Sequence, residues 1–108
     1  MANNDLVPEL TKSEFENFTK EGLVLIDFFA EWCMPCLTMA PIIDELNEKL
    51  KGKIKFGKVD VGENQDIAQK FEVVSIPNFV LLKNGKVIEQ LVGTVSAEEL
   101  EGILNKYI

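Results

Sequence analysis

A chain of 108 residues with 46% hydrophobic and 27% charged side chains has the composition of one globular domain, long enough to bury a core without metal or disulfide staples. Its net charge of −7, from 18 acidic against 11 basic residues, repels phosphate backbones and argues against nucleic acid as a partner. Histidine is absent, which excludes Cys-His and Ser-His nucleophilic pairs, an imidazole base and histidine metal ligands.

The opening residues, Met1-Ala2-Asn3-Asn4-Asp5, have neither the positive charge nor the apolar stretch of a secretory signal, so a cytoplasmic location is expected. Thr11 and Glu14 have capping-box spacing and precede Phe15 and Phe18, which predicts a short first helix. Leu23 to Phe29 (LVLIDFF) is an apolar run broken by one aspartate, the pattern of a strand covered on both faces. Its longest unbroken part, Leu23 to Ile26, is far too short to cross a bilayer, so no membrane association is expected. From Pro35 onward, Met39, Ile42, Ile43, Leu46 and Leu50 recur at helical spacing, and Gly52 stops the helix. Lys49, Lys51, Lys53 and Lys55 follow as a basic cluster, read as a solvated helix end complementing the macrodipole.

Lys55 to Val61 reads as the next strand, and Asn64 to Phe71 as a short helix capped by Asn64. Asn78 to Lys83 and Lys86 to Val92 flank Asn84-Gly85, a two-residue hairpin signal. Ser96 and Glu99 form a second capping box, opening a last helix with Leu100, Ile103 and Leu104 on one stripe. The order is βαβ and then ββα. It predicts an α/β fold: a single mixed sheet with helices on both faces, in one domain over residues 1–108.

Cys33 and Cys36, the chain's two cysteines, fall between a buried strand and a helix start. A helix N-terminus offers unpaired N–H groups and partial positive charge, both of which stabilise the thiolate that attacks disulfides. Pro35 suits the first helical turn, where its missing N–H is not needed. Cysteines at i and i+3 place the second sulfur where it can resolve a mixed disulfide formed by the first. Other uses of the pair stand beside this one. A structural disulfide over so short a loop would contribute only about 2 kcal/mol. Half of a zinc site would lack the other ligands such sites use. The strand-to-helix setting favours the redox reading.

The segment Asp27-Phe28-Phe29-Ala30-Glu31-Trp32-Cys33-Met34-Pro35-Cys36 resembles the active-site segment of the thioredoxin family. The resemblance continues through Ala40-Pro41, Lys58-Val59-Asp60, Ser75-Ile76-Pro77, Asn84-Gly85 and Val92-Gly93, in the family's order, over nearly the whole chain. It implies the thioredoxin fold and a dithiol–disulfide reductase, with Cys33 as exposed nucleophile and Cys36 as shielded resolving thiol. It also implies no bound cofactor, electrons arriving indirectly from NADPH through a thioredoxin reductase, and disulfide-containing proteins as substrates. A monomer is expected.

The resemblance places Asp27 beneath the resolving cysteine, where burial would raise its pKa and let it exchange a proton with Cys36. The plainer alternative is an aspartate on a solvated strand edge. Lys58 matches the family lysine near that aspartate, and by itself would be a solvated strand residue. Pro77 would by default follow a trans bond. The resemblance implies a cis bond facing the cysteines, with Ile76 offering backbone groups to an extended substrate. Trp32, Met34, Pro35, Val74, Ile76, Pro77, Val92 and Gly93 are then the expected substrate-binding surface, although Trp32 alone would read as core packing. Met39 lies on the helix's apolar stripe and is assigned to the core.

Several residues depart from the family pattern. Met34 stands where glycine is commonest and Leu37 where a cation is usual, while Phe29 and Asn78 replace a frequent tryptophan and threonine. Met34 enlarges the apolar collar, and Leu37 removes a charge that would steady a thiolate. Two other functions compete: an oxidising or glutathione-coupled relative of the same superfold, and a redox-inactive binding subunit or chaperone. Met34-Pro35 is not the dipeptide of the first, and retention of both cysteines with Asp27 and Pro77 argues against the second.

Overall fold

Unbroken burial from Val24 to Phe28 along β1 (Leu23–Phe29) organises the molecule, because the strand is covered on both faces. Val24, Ile26 and Phe28 point to one side, and Leu25 points to the other. The computed structural model describes residues 7–108. The opening residues on which the signal-peptide argument rested lie outside them.

Eight elements follow in order: α1 (Lys12–Thr19), β1, α2 (Met34–Lys49), β2 (Lys55–Asp60), α3 (Gln65–Lys70), β3 (Asn78–Lys83), β4 (Lys86–Val92) and α4 (Ala97–Asn105). The strands form one sheet in the order β2-β1-β3-β4. β1 and β2 are parallel, joined through α2, while β1–β3 and β3–β4 are antiparallel. This is the mixed βαβ–ββα sheet of the thioredoxin fold.

Two cores lie on opposite faces of that sheet. On one, Leu25, Phe56, Phe79 and Leu81 pack against Met39, Ile43 and Leu46 of α2 and Leu100 and Leu104 of α4. On the other, Val24, Ile26, Phe28, Val59, Val80 and Leu82 meet Phe15 of α1 and Ile67 of α3. Each face is closed by helices, so the side chains of Val24 to Phe28 on β1 and Asn78 to Leu82 on β3 leave water whichever way they point.

Local chemistry sets most boundaries. Glu14 Oε1 accepts the Thr11 N–H (2.9 Å), and Ser96 Oγ accepts the Glu99 N–H (3.0 Å), so both expected N-termini are capped. Asn84 and Gly85 both take positive φ, 51° and 84°, as a tight turn twisted like its strands requires. Asn64 does precede α3, yet its side chain makes no cap; Nδ2 donates instead to Asp60 O (3.1 Å). β2 ends at Asp60, one residue before the expected Val61, whose N–H still bonds Phe29 O (2.9 Å).

Residues 8–10 run beside β2. Leu10 N–H donates to Lys58 O (2.8 Å) and Lys58 N–H to Pro8 O (2.9 Å), with Val7 and Leu10 buried. No periodicity or turn signal in the sequence announces this pairing.

Candidate functional site

Cys33 is the N-cap of α2, and its sulfur accepts the Cys36 N–H at 3.1 Å. The strand ends at Phe29, Cys33 N–H bonds Ala30 O (3.1 Å), and the chain turns at once into the helix. Pro35 sits in the first turn and displaces no hydrogen bond there. Cys33 and Cys36 are joined in a disulfide, with their Cα atoms 5.3 Å apart. That separation lies within the normal range for such bonds.

The resemblance implied an exposed Cys33 beside a shielded Cys36. In this disulfide form the two are 4% and 5% exposed, so burial does not distinguish them. The cause is the cap itself: the sulfur turns in under the first turn of α2. There both cysteines pack with Ala30, against Phe29, Val61 and Ile76.

Asp27 lies two residues beyond Leu25 on β1 and therefore on the face that meets α2. On α2, Cys36 continues the stripe of Met39 and Ile43 that covers this face. Asp27 is buried, and its Oδ1 has no hydrogen-bond partner. Burial pushes its pKa up from 3.8 to about 7; the charge of Lys58 pulls it down and that of Asp44 pushes it up. Lys58 is the register partner of Asp27 on β2, and its Nζ lies 5.5 Å from the centre of the Phe29 ring. Asp44 was missed in the sequence. Its signal was its place on α2, eight residues after Cys36, on the flank beside the buried stripe.

The Ile76–Pro77 bond is cis. Pro77 O accepts the Gly93 N–H (2.8 Å), which ties the turn after β4 to the proline. Ile76 reaches the cysteines, whereas Trp32 (75% exposed), Met34 (70%), Val74 (95%) and Val92 (61%) stand out from the fold. Trp32 is thus a surface residue rather than core, and Met39, at 1%, is core as assigned. Leu37 is exposed too, where a cation was the family's habit.

One acidic group among the described residues brings carboxylate oxygens of Glu9, Asp60 and Glu63 within 4.8 Å of one another. Asp60 Oδ1 in that group already accepts the Gly62 N–H (2.8 Å). A concavity of about 440 Å³ lined by Pro8, Glu9, Leu10, Ser13, Glu14, Asn17 and Phe18 lies away from the cysteines.

The family model for thioredoxin matches residues 6–106. Thioredoxin from Listeria monocytogenes is 43% identical over 103 residues, covering 95% of this chain and all of the relative. Thioredoxin from Bacillus subtilis is 42% identical, over 94% of this chain and 98% of its own length. Thioredoxin from Staphylococcus aureus is 36% identical with the same coverage.

Proposed function

The chain belongs to the thioredoxin family and is a dithiol–disulfide oxidoreductase of the protein-disulfide-reductase type, and we propose that Cys33 is its attacking sulfur and Cys36 its resolving one. The observation that carries this assignment is the capping of α2 by Cys33. A sulfur that caps a helix and holds an N–H is a good home for negative charge once the disulfide is opened. Cys36, inside the first turn, is held within reach of it.

In this reading the Cys33 thiolate attacks one sulfur of a target disulfide. The target S–S bond breaks, one target sulfur leaves as thiolate, and a Cys33–target mixed disulfide forms. Cys36 then gives its proton to Asp27 and attacks the Cys33 sulfur. The second target thiolate departs, and the Cys33–Cys36 disulfide remains. Two electrons have passed to the target, whose thiolates take up protons. Asp27 suits the transfer because burial holds its pKa near that of a base working at neutral pH. Lys58 limits that rise through its charge.

Trp32, Met34, Pro35, Val74, Ile76, Pro77, Val92 and Gly93 form the docking surface. Ile76 offers its backbone to an extended segment of substrate, and the exposed apolar side chains cover it. No bound cofactor is needed; a thioredoxin reductase drawing on NADPH returns the electrons. Residues 1–108 work as one thioredoxin domain and as a monomer in the cytoplasm. No described helix is long and apolar enough to cross a membrane.

The test follows dithiothreitol reduction of insulin disulfides with catalytic amounts of the protein and of Cys33→Ser. Acceleration that vanishes in the variant supports the assignment. Equal acceleration by the variant would move the attacking role away from Cys33.

A further inference from the structure

Asn78, one of the departures from the family pattern, is 1% exposed, and a buried carboxamide must find partners on both its atoms. Its Nδ2 donates to Ser75 O in a long bond of 3.4 Å, which turns Oδ1 toward β4. There Gln90 Nε2 donates to it at 3.1 Å. The same Nε2 donates to Phe71 O at 3.0 Å. Both of its partners are acceptors, so the Gln90 amide has one workable orientation. Register explains the meeting: Asn78 lies opposite Val92 and Val80 opposite Gln90, which makes Asn78 and Gln90 diagonal neighbours on one face of the hairpin.

The two captured carbonyls bracket a short segment. Phe71 closes α3, Glu72 follows with φ +57°, and Ser75 immediately precedes the Ile76–Pro77 bond. Among the described residues, the backbone of Val74 to Ile76, around the second of these carbonyls, makes no hydrogen bond to another backbone group. Side-chain amides therefore do the tethering that a ladder would do elsewhere.

We propose that Asn78 and Gln90 form a clasp that holds residues 71–77 in the conformation that receives substrate, which makes Gln90 a positioning residue for docking. The inference rests on the reading above that Val74 and Ile76 contact the substrate. Gln90 touches no sulfur and takes no part in the exchange. Its effect is to lower the ordering cost paid when an extended chain lies along the segment.

Gln90 is itself exposed at the edge strand β4, so Gln90→Met keeps the length of the side chain and removes both donors without opening the core. Insulin reduction at varied insulin concentration should show KM raised by about three- to tenfold for two lost hydrogen bonds, with kcat within about twofold of the parent. Alkylation of reduced Cys33 by iodoacetamide should keep its rate. Val74→Asp is measured alongside as a probe of docking itself. If it raises KM while Gln90→Met leaves KM unchanged, docking stands and the clasp is wrong. If neither variant raises KM, the docking surface is misassigned, and the clasp falls with it. A fall in kcat at constant KM in Gln90→Met would also overturn the proposal, because it would place Gln90 in the exchange step.

Discussion

Removing the charge of Asp27 should make the protein more stable at alkaline pH, by an amount the structure allows to be worked out. Its pKa rises from 3.8 to about 7 because the carboxyl is buried. The native state thus holds a proton that the unfolded chain releases across that interval. Stability attributable to this group is complete below the unfolded value and is lost as pH rises through the folded one. At about 1.4 kcal/mol per unit, the loss approaches about 4 kcal/mol once pH exceeds both values. About 2 kcal/mol of it is already gone at pH 5, which leaves roughly 2 to 3 kcal/mol to be lost between pH 5 and 8. Asp27→Asn keeps the shape and cannot ionise. Guanidinium unfolding of both oxidised proteins at the two pH values isolates the effect, because every other titrating group is shared. The variant should gain roughly 2 to 3 kcal/mol on its parent between pH 5 and 8. Parallel pH dependences would show that Asp27 ionises as freely in the fold as outside it, and the proton-acceptor role would lose its basis.

Lys58→Met should push the Asp27 pKa above about 7, because it removes the opposing charge; the carboxyl ¹³C resonance would report the titration directly, and an unmoved or lowered midpoint would refute the coupling. Glu72 sits at φ +57° just past α3, a conformation that favours glycine. Its neighbours complete a helix stop, with Glu72 N–H bonding Gln69 O (3.0 Å) and Val73 N–H bonding Ala68 O (2.9 Å). Glu72→Gly should therefore raise stability by about 0.5–1 kcal/mol and the melting temperature by a few degrees, and a lower melting temperature would contradict the strain.

Much of this fold was readable because its signals are local. Asn84-Gly85 demands positive φ at both turn residues, the apolar run of β1 demands cover on both faces, and Ser96 and Thr11 announce helix starts within one turn. The redox pair was legible for the same reason, since strand, cysteines and helix follow one another directly. What escaped depends on groups distant in sequence. Asn78 and Gln90 meet only through hairpin register, and Asp44 acts on Asp27 only because α2 lies over β1. The burial of Cys33 escaped because the inward turn of a capping sulfur is a matter of side-chain geometry. Asn64 showed that a good cap residue can be turned away from the helix, here by its Nδ2 donating to the carbonyl of Asp60.

The strip of chain at residues 8–10 bears on how such a molecule survives crowding. A protein that leaves Trp32, Met34, Val74 and Val92 bare is already sticky, and an open sheet edge would give self-association a second handle. The β2 edge is closed by the bonds between Pro8, Leu10 and Lys58. The opposite edge, β4, is blunted by other means. Its ladder slips between Leu81 and Leu82, and its outward residues include Lys86 and Gln90. With both edges poor templates for another strand, these exposed apolar side chains can stay uncovered without seeding fibres.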